Sequence, residues 1–259
     1  MRTSSTMFVL ATLALSPAAA LGQLHQGDIL IELNGADRIV TGVVDDKSGA
    51  VVHNVRVFLG TFEAGLNFTN EPGLDSDAVF PPDSRLGFTI RRALRVWANG
   101  NFDTIPVERI EVRLGSLGPI VTPTSDVEVE GFSMPVDVDG VFHHHPGYLL
   151  RSPAGDGIYL YEFELCSDLA GISPSQPLWL VLNQNRSQKD HEEAAQWVRD
   201  NLECRADFDG DGFITGLDFD SFVFAFEAGD LTADFDQDGF ITGIDYDTYV
   251  YAFEQGCNP

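Results

Sequence analysis

Two twelve-residue stretches constrain this chain more than any other feature: DFDGDGFITGLD at residues 207–218 and DFDQDGFITGID at residues 234–245. Each places carboxylates at positions 1, 3, 5 and 12, glycine at 6 and threonine at 9. A hard cation that takes about six to eight oxygen ligands needs this order: carboxylates on alternate residues of a tight turn, glycine at the bend, a carbonyl after it, and a closing carboxylate from the next helix. The first loop then offers Asp207, Asp209, Asp211 and Asp218, the carbonyl of Phe213, and Thr215 directly or through water, with Gly212 at the bend. The second offers Asp234, Asp236, Asp238, Asp245, Phe240 and Thr242, with Gly239 at the bend. Four carboxylates in so short a loop repel one another without a cation. Two calcium ions are therefore expected, with binding coupled to folding of the segment.

A solvated acidic tail has no reason to repeat such a pattern, or to follow each copy with an apolar stripe. Phe219, Phe222, Val223 and Phe226 follow the first loop, and Tyr246, Tyr249, Val250 and Phe253 follow the second, at the spacing of one helix face. Ile214 and Ile241, at matching loop positions, are expected to pair the loops through a short ladder. Phe224 and Tyr251 fall on the opposite helix face at matching positions, where large aromatics suit a partner surface.

This duplicated loop and helix, with Asp at position 12 and no helix entering either loop, resembles the dockerin module of type I, an EF-hand-like calcium domain. The resemblance covers residues 204–257. It implies a near-symmetric helix pair that docks into a cohesin-like domain on a scaffold or cell surface, in settings where polysaccharide is degraded. Dockerins commonly carry Ser or Thr at loop positions 10 and 11, whereas this chain has Gly216-Leu217 and Gly243-Ile244. The ion-binding expectation survives that departure, but the identity of the partner does not follow. The larger part of the chain is similar, through DRIVTG, WLVLNQNR and its run of histidines, to secreted bacterial proteins ending in such repeats. That similarity brings no activity with it.

Charge marks the module's edge. Of 259 residues, 40 are acidic and 15 are Lys or Arg, a formal net charge of −25. From Asp207 onward there are 13 acidic residues and no Lys or Arg, which sets a boundary near residue 203. Such a polyanion repels nucleic acid and anionic lipid. Arg2, the apolar run from Met7 to Leu15 and the small residues Ala18, Ala19 and Ala20 read as a secretory signal peptide over residues 1–22. No later stretch is long and apolar enough to span a membrane, so a secreted, extracellular or cell-surface protein is expected. In an oxidising compartment Cys204 and Cys257, which bracket the acidic segment, are the favoured disulfide, although Cys166 leaves other pairings open.

Residues 23–203 carry short alternating apolar segments, about eight strands, separated by turn residues. Ile29, Ile31 and Leu33 face Ile39, Thr41 and Val43 across Asn34-Gly35, a hairpin signal. The pattern predicts a mainly β chain, an antiparallel β-sandwich of jelly-roll or Ig-like kind. A helix over about 190–202 then leads into the small α-helical module. Asn67 to Ser84 reads as a long loop.

Weaker signals lie in this domain. His143 and His145 share a face if extended, and with His25 they suit Zn²⁺ or Cu²⁺. Asp137 and Asp139 before Gly140 read as turn residues. Glu162 and Glu164 satisfy the minimum for a glycosidase pair, yet alternating Glu reads more simply as a solvated strand face. No nucleophile elbow, metalloprotease helix or phosphate loop is present, and Trp97, Trp179 and Trp197 are few for a sugar platform. Two functions remain: a noncatalytic binding protein attached through its module, or a polysaccharide-active hydrolase or carbohydrate-binding protein tethered the same way.

Overall fold

The computed structural model describes residues 27–256 except 46, 78 and 237. The expected signal segment, His25 and Cys257 lie outside the described residues. The chain begins with β1 (Ile29–Leu33), β2 (Ile39–Val44), β3 (Val51–His53), β4 (Val57–Thr61), β5 (Phe68–Thr69) and β6 (Leu74–Ser76). It continues with β7 (Arg85–Ile90), β8 (Arg95–Ala98), β9 (Asn101–Thr104), β10 (Ile110–Leu114) and β11 (Leu117–Val121). Then come β12 (Val129–Pro135), β13 (Phe142–His144), β14 (Gly147–Leu150), β15 (Gly157–Ser167) and β16 (Leu178–Gln184). Helices α1 (Gln188–Asn201), α2 (Gly216–Ala228) and α3 (Gly243–Gln255) follow, with a 3-10 turn at Leu231–Ala233.

The expectation of a mainly β chain followed by helices holds. The strand count does not: several strands have only two to four residues, too short for alternation to register. The Asn67 to Ser84 stretch, expected as loop, contains two of them, β5 and β6.

Three sheets form, in the orders β13-β6-β1-β2-β3, β11-β10-β14-β5 and β12-β7-β15-β16-β4, with β8 paired to β15 and β9 to β8. Most pairs are antiparallel. The expected all-antiparallel pairing gives way at two places, because β1 runs parallel to β6 and β16 parallel to β4. Both pairs join strands far apart in sequence, where no tight turn dictates direction. The β1–β2 hairpin forms, but its connection is longer than a two-residue turn: Leu33 faces Ile39. The Asn34 side chain holds that loop by accepting the N–H groups of Ala36 and Arg38 at 3.0 Å each.

One apolar core takes residues from all three sheets, among them Ile29, Ile110, Tyr148, Tyr161 and Leu180. β16 is buried at every residue. Leu178, Leu180 and Leu182 enter this core, while Trp179 and Val181 face Ala194, Ala195 and Val198 of α1. A strand covered on both faces reads as a continuous apolar run, which is why LWLVL lacks alternation. Ser187 caps α1, accepting the N–H of Asp190 at 3.1 Å. No helix among the described residues is long and apolar enough to cross a membrane.

α2 and α3 pack face to face. Phe222 and Tyr249, at matching positions of the repeat, are fully buried and stack with ring centroids 3.9 Å apart and planes 11° apart. Phe208, Ala225, Ala233 and Phe235 complete this small core. The ladder expected between Ile214 and Ile241 is not formed among the described residues. The Ile214 side chain approaches Gly256 at the end of α3 instead, where an added Cβ would lie 4.0 Å from its Cδ1.

Candidate metal centre

Each acidic loop folds around its own carboxylates. Asp207, Asp209 and Asp218 bring ligand oxygens within 4.8 Å of one another, and Asp234, Asp236 and Asp245 do the same. Gly212 and Gly239 adopt φ of 93° and 88°, a bend that L side chains rarely adopt. There the backbone turns inward: Gly212 N–H donates to Asp207 Oδ2 at 3.0 Å and Gly239 N–H to Asp234 Oδ2 at 2.8 Å. Asp218 and Asp245 are each the third residue of their helix and form capping boxes with Thr215 and Thr242. The loop-closing carboxylates are thereby fixed by the helix starts, and both are fully buried.

The other expected ligands sit as follows. Asp211 and Asp238 stand outside the two trios and accept the N–H groups of Phe213 and Phe240 at 2.8 Å. The Thr215 and Thr242 hydroxyls accept the N–H groups of Leu217 and Ile244 at 3.1 Å. The rings of Phe213 and Phe240 are exposed.

Burial pushes the carboxyls of Asp207, Asp209 and Asp234 above the ordinary carboxylate value, and the neighbouring carboxylates push in the same direction. Burial acts on Asp245 too, but the N–H groups of Thr242, Asp236 and Phe235 outweigh it and hold that carboxyl low. Asp207 carries the telling atom. Its Oδ2 accepts from Gly212 and from the Gln176 amide, while its buried Oδ1 has no hydrogen-bond partner among the described residues. A buried, unpaired carboxylate oxygen is costly unless a cation meets it. The donor set, all hard oxygen, fits calcium.

Nothing in the local pattern shows that connecting segments of the β domain hold the first loop. Gln176 donates to Asp207, Asn54 to the Phe208 carbonyl, and Asn34 to the Asp209 carbonyl at 3.2 Å. The His53 N–H donates to Thr232 Oγ1 at 3.1 Å. Arg56, buried beside Glu203, donates to the Cys204 carbonyl at 3.3 Å. Among the described residues the carboxylates of the second loop accept from N–H groups of that loop, and none accepts a side-chain donor from the β domain. A cavity of about 660 Å³ lies between the strands and the module, lined by Arg56, Arg199, Arg205, Asp207 and Phe235 among others.

Phe224 and Tyr251 are 78% and 66% exposed. Leu217 and Ile244 are also exposed, as are Phe213 and Phe240. The repeat therefore presents three matched pairs of large apolar side chains, of which the sequence pattern singled out one. Cys204 is disulfide-bonded, and its expected partner Cys257 lies outside the described residues. Cys166 is free, its thiol pushed up by burial.

In the β domain, His143 and His145 do share a face, and Asp28 joins them within 4.8 Å. Asp137, Asp139 and Gly140 form a turn, with Gly140 N–H donating to Asp137 O at 2.9 Å. The Glu162–Glu164 face is not solvated, contrary to expectation. Glu162 is buried, accepting Trp179 Nε1–H at 3.0 Å and pairing with Arg92 at 2.7 Å, and Glu164 pairs with Arg91 at 3.1 Å. The loop after β7 lays both arginines over that face. Trp97 and Trp197 pack around Phe102, and Trp179 lies under α1. No family model, curated protein or solved structure matches the chain.

Proposed function

We propose that the chain is a secreted calcium-binding protein whose C-terminal module, of dockerin type, attaches the β domain to an extracellular protein partner such as a cohesin-like domain. Each loop takes one calcium ion, through Asp207, Asp209 and Asp218 in the first and Asp234, Asp236 and Asp245 in the second. The observation that carries this reading is Asp207 Oδ1, buried inside a cluster of carboxylates and without a hydrogen bond from any described residue. The exposed pair Phe224 and Tyr251 supports a partner surface, since matched large aromatics left in water are costly on a module with no use for them. The β domain, taken as a sandwich around its shared core, is the cargo.

Calorimetry on the full chain tests the metal step. It should give two calcium sites, one of which is lost in Asp218→Asn and the other in Asp245→Asn. No binding at about millimolar calcium, where even weak extracellular sites fill, ends the reading.

A further inference from the structure

The three short strands at one edge of the first sheet bring Asp28, Asp75, His143 and His145 together. β13 pairs with β6, setting His143 opposite Asp75, and β6 pairs with β1, whose start follows Asp28. His143 Nε2 and His145 Nε2 face each other at 3.0 Å, and Asp28 Oδ2 lies 3.6 Å from His145 Nε2. Behind them, His143 Nδ1 lies 3.6 Å from Asp75 Oδ1. His145 Nδ1 lies 3.2 Å from the Asn70 carbonyl and 3.3 Å from Glu71 Oε1.

This arrangement constrains the hydrogens. Each Nδ1 faces an acceptor, so each ring is best served with its hydrogen on Nδ1. Both Nε2 lone pairs then point at the same space as the Asp28 carboxylate. If instead one Nε2 carried the hydrogen, that ring's Nδ1 lone pair would face an acceptor. A cation among the three atoms would take a lone pair from each of them. The spacing agrees: a four-coordinate centre with bonds of about 2.05 Å sets its ligand atoms about 3.3 Å apart, between the two distances found.

The site is also held in place. Asp28 and Asp75 are buried, and the Gly73 N–H donates to Asp28 Oδ1 at 2.8 Å, turning Oδ2 toward the histidines. A Cβ on Gly73 would meet the His145 ring at 2.7 Å and Asp28 Oδ1 at 2.9 Å, so glycine there permits the close approach. Carboxylates and carbonyls behind ligating histidines fix ring orientation and raise ligand basicity.

We propose that Asp28, His143 and His145 bind a divalent transition-metal ion of borderline softness, zinc in the first instance, with Asp75 and Glu71 as positioning residues. This site is separate from the two acidic loops. The test titrates Zn²⁺ into the full chain by calorimetry with calcium in excess, so that the aspartate loops are already filled. One zinc site is expected. It should weaken at least about tenfold in His143→Ala, His145→Ala and the isosteric Asp28→Asn, and by about 10- to 100-fold in Asp75→Asn, which removes only a supporting group. Far-ultraviolet circular dichroism of each variant should match the parent's. Co²⁺ in place of zinc should give the visible bands of a four-coordinate nitrogen and oxygen site, absent from His143→Ala. No zinc uptake by the calcium-saturated parent overturns the proposal. So does equal uptake by a folded His143→Ala/His145→Ala variant.

Discussion

Gln176 reaches from the end of the segment before β16 to the first carboxylate of the first loop, donating to the Asp207 oxygen that Gly212 N–H also meets. This bond orients the carboxylate and leaves its other oxygen directed into the cluster. Groups that orient a metal ligand typically matter by about 10- to 100-fold in affinity. Gln176→Ala should therefore weaken the proposed first calcium site about tenfold and leave the proposed second unchanged, resolved as two transitions by calorimetry. Equal weakening of both sites would contradict it. At this scale the carboxylates that cluster were legible in the sequence, because acidic residues on alternate positions of a short loop are a local pattern. Gln176, Asn54 and Asn34 were not, since each acts across a long sequence separation.

The apolar stripes named both module helices, and the capping boxes of Thr215 with Asp218 and Thr242 with Asp245 start them where the loops end. What the stripe did not reveal is which position sits at the centre of the repeat. The stack of Phe222 on Tyr249 places both rings there, fully buried. Truncating a buried Phe costs about 3–5 kcal/mol through lost burial and the cavity left behind. Phe222→Ala should destabilise the calcium-loaded module by that amount, read from its thermal transition, while Phe224→Ala, on the exposed face, should leave the transition within about 0.5 kcal/mol of the parent. Among the strands, long alternating runs were legible and β5 and β6 were not. Those two short strands are held by pairing with neighbours rather than by a pattern of their own, and β6 is what builds the histidine cluster.

Across the whole molecule, α1 seals the largest sheet and delivers the chain to the module. His191 ties the two together: it is buried on α1, and its Nε2–H donates to the Val181 carbonyl of β16 at 2.9 Å. Burial depresses its pKa below the ordinary 6.5, despite the opposing bond to Val181 and the charge of Glu192. Protonation then favours the unfolded chain, where the ring titrates normally. The contribution of this residue is complete above pH 6.5 and is lost as pH falls through and below that value. Urea unfolding on either side of 6.5 should show this loss, and His191→Gln should remove it. A parent and variant with the same pH slope would refute the assignment.

The amino-acid sequence alone determined the two acidic loops, the helices behind them, the alternating strands and the pairing face of His143 and His145. Each is written in spacings of a few residues, fixed by the helix and strand periods. Tertiary structure decided the rest: which strands run parallel, that arginines cover Glu162 and Glu164, that side chains from the β domain clasp the first loop, and that Asp28 stands beside the histidines. Those contacts join residues distant along the chain, and only the packing of a shared core brings them within bonding distance.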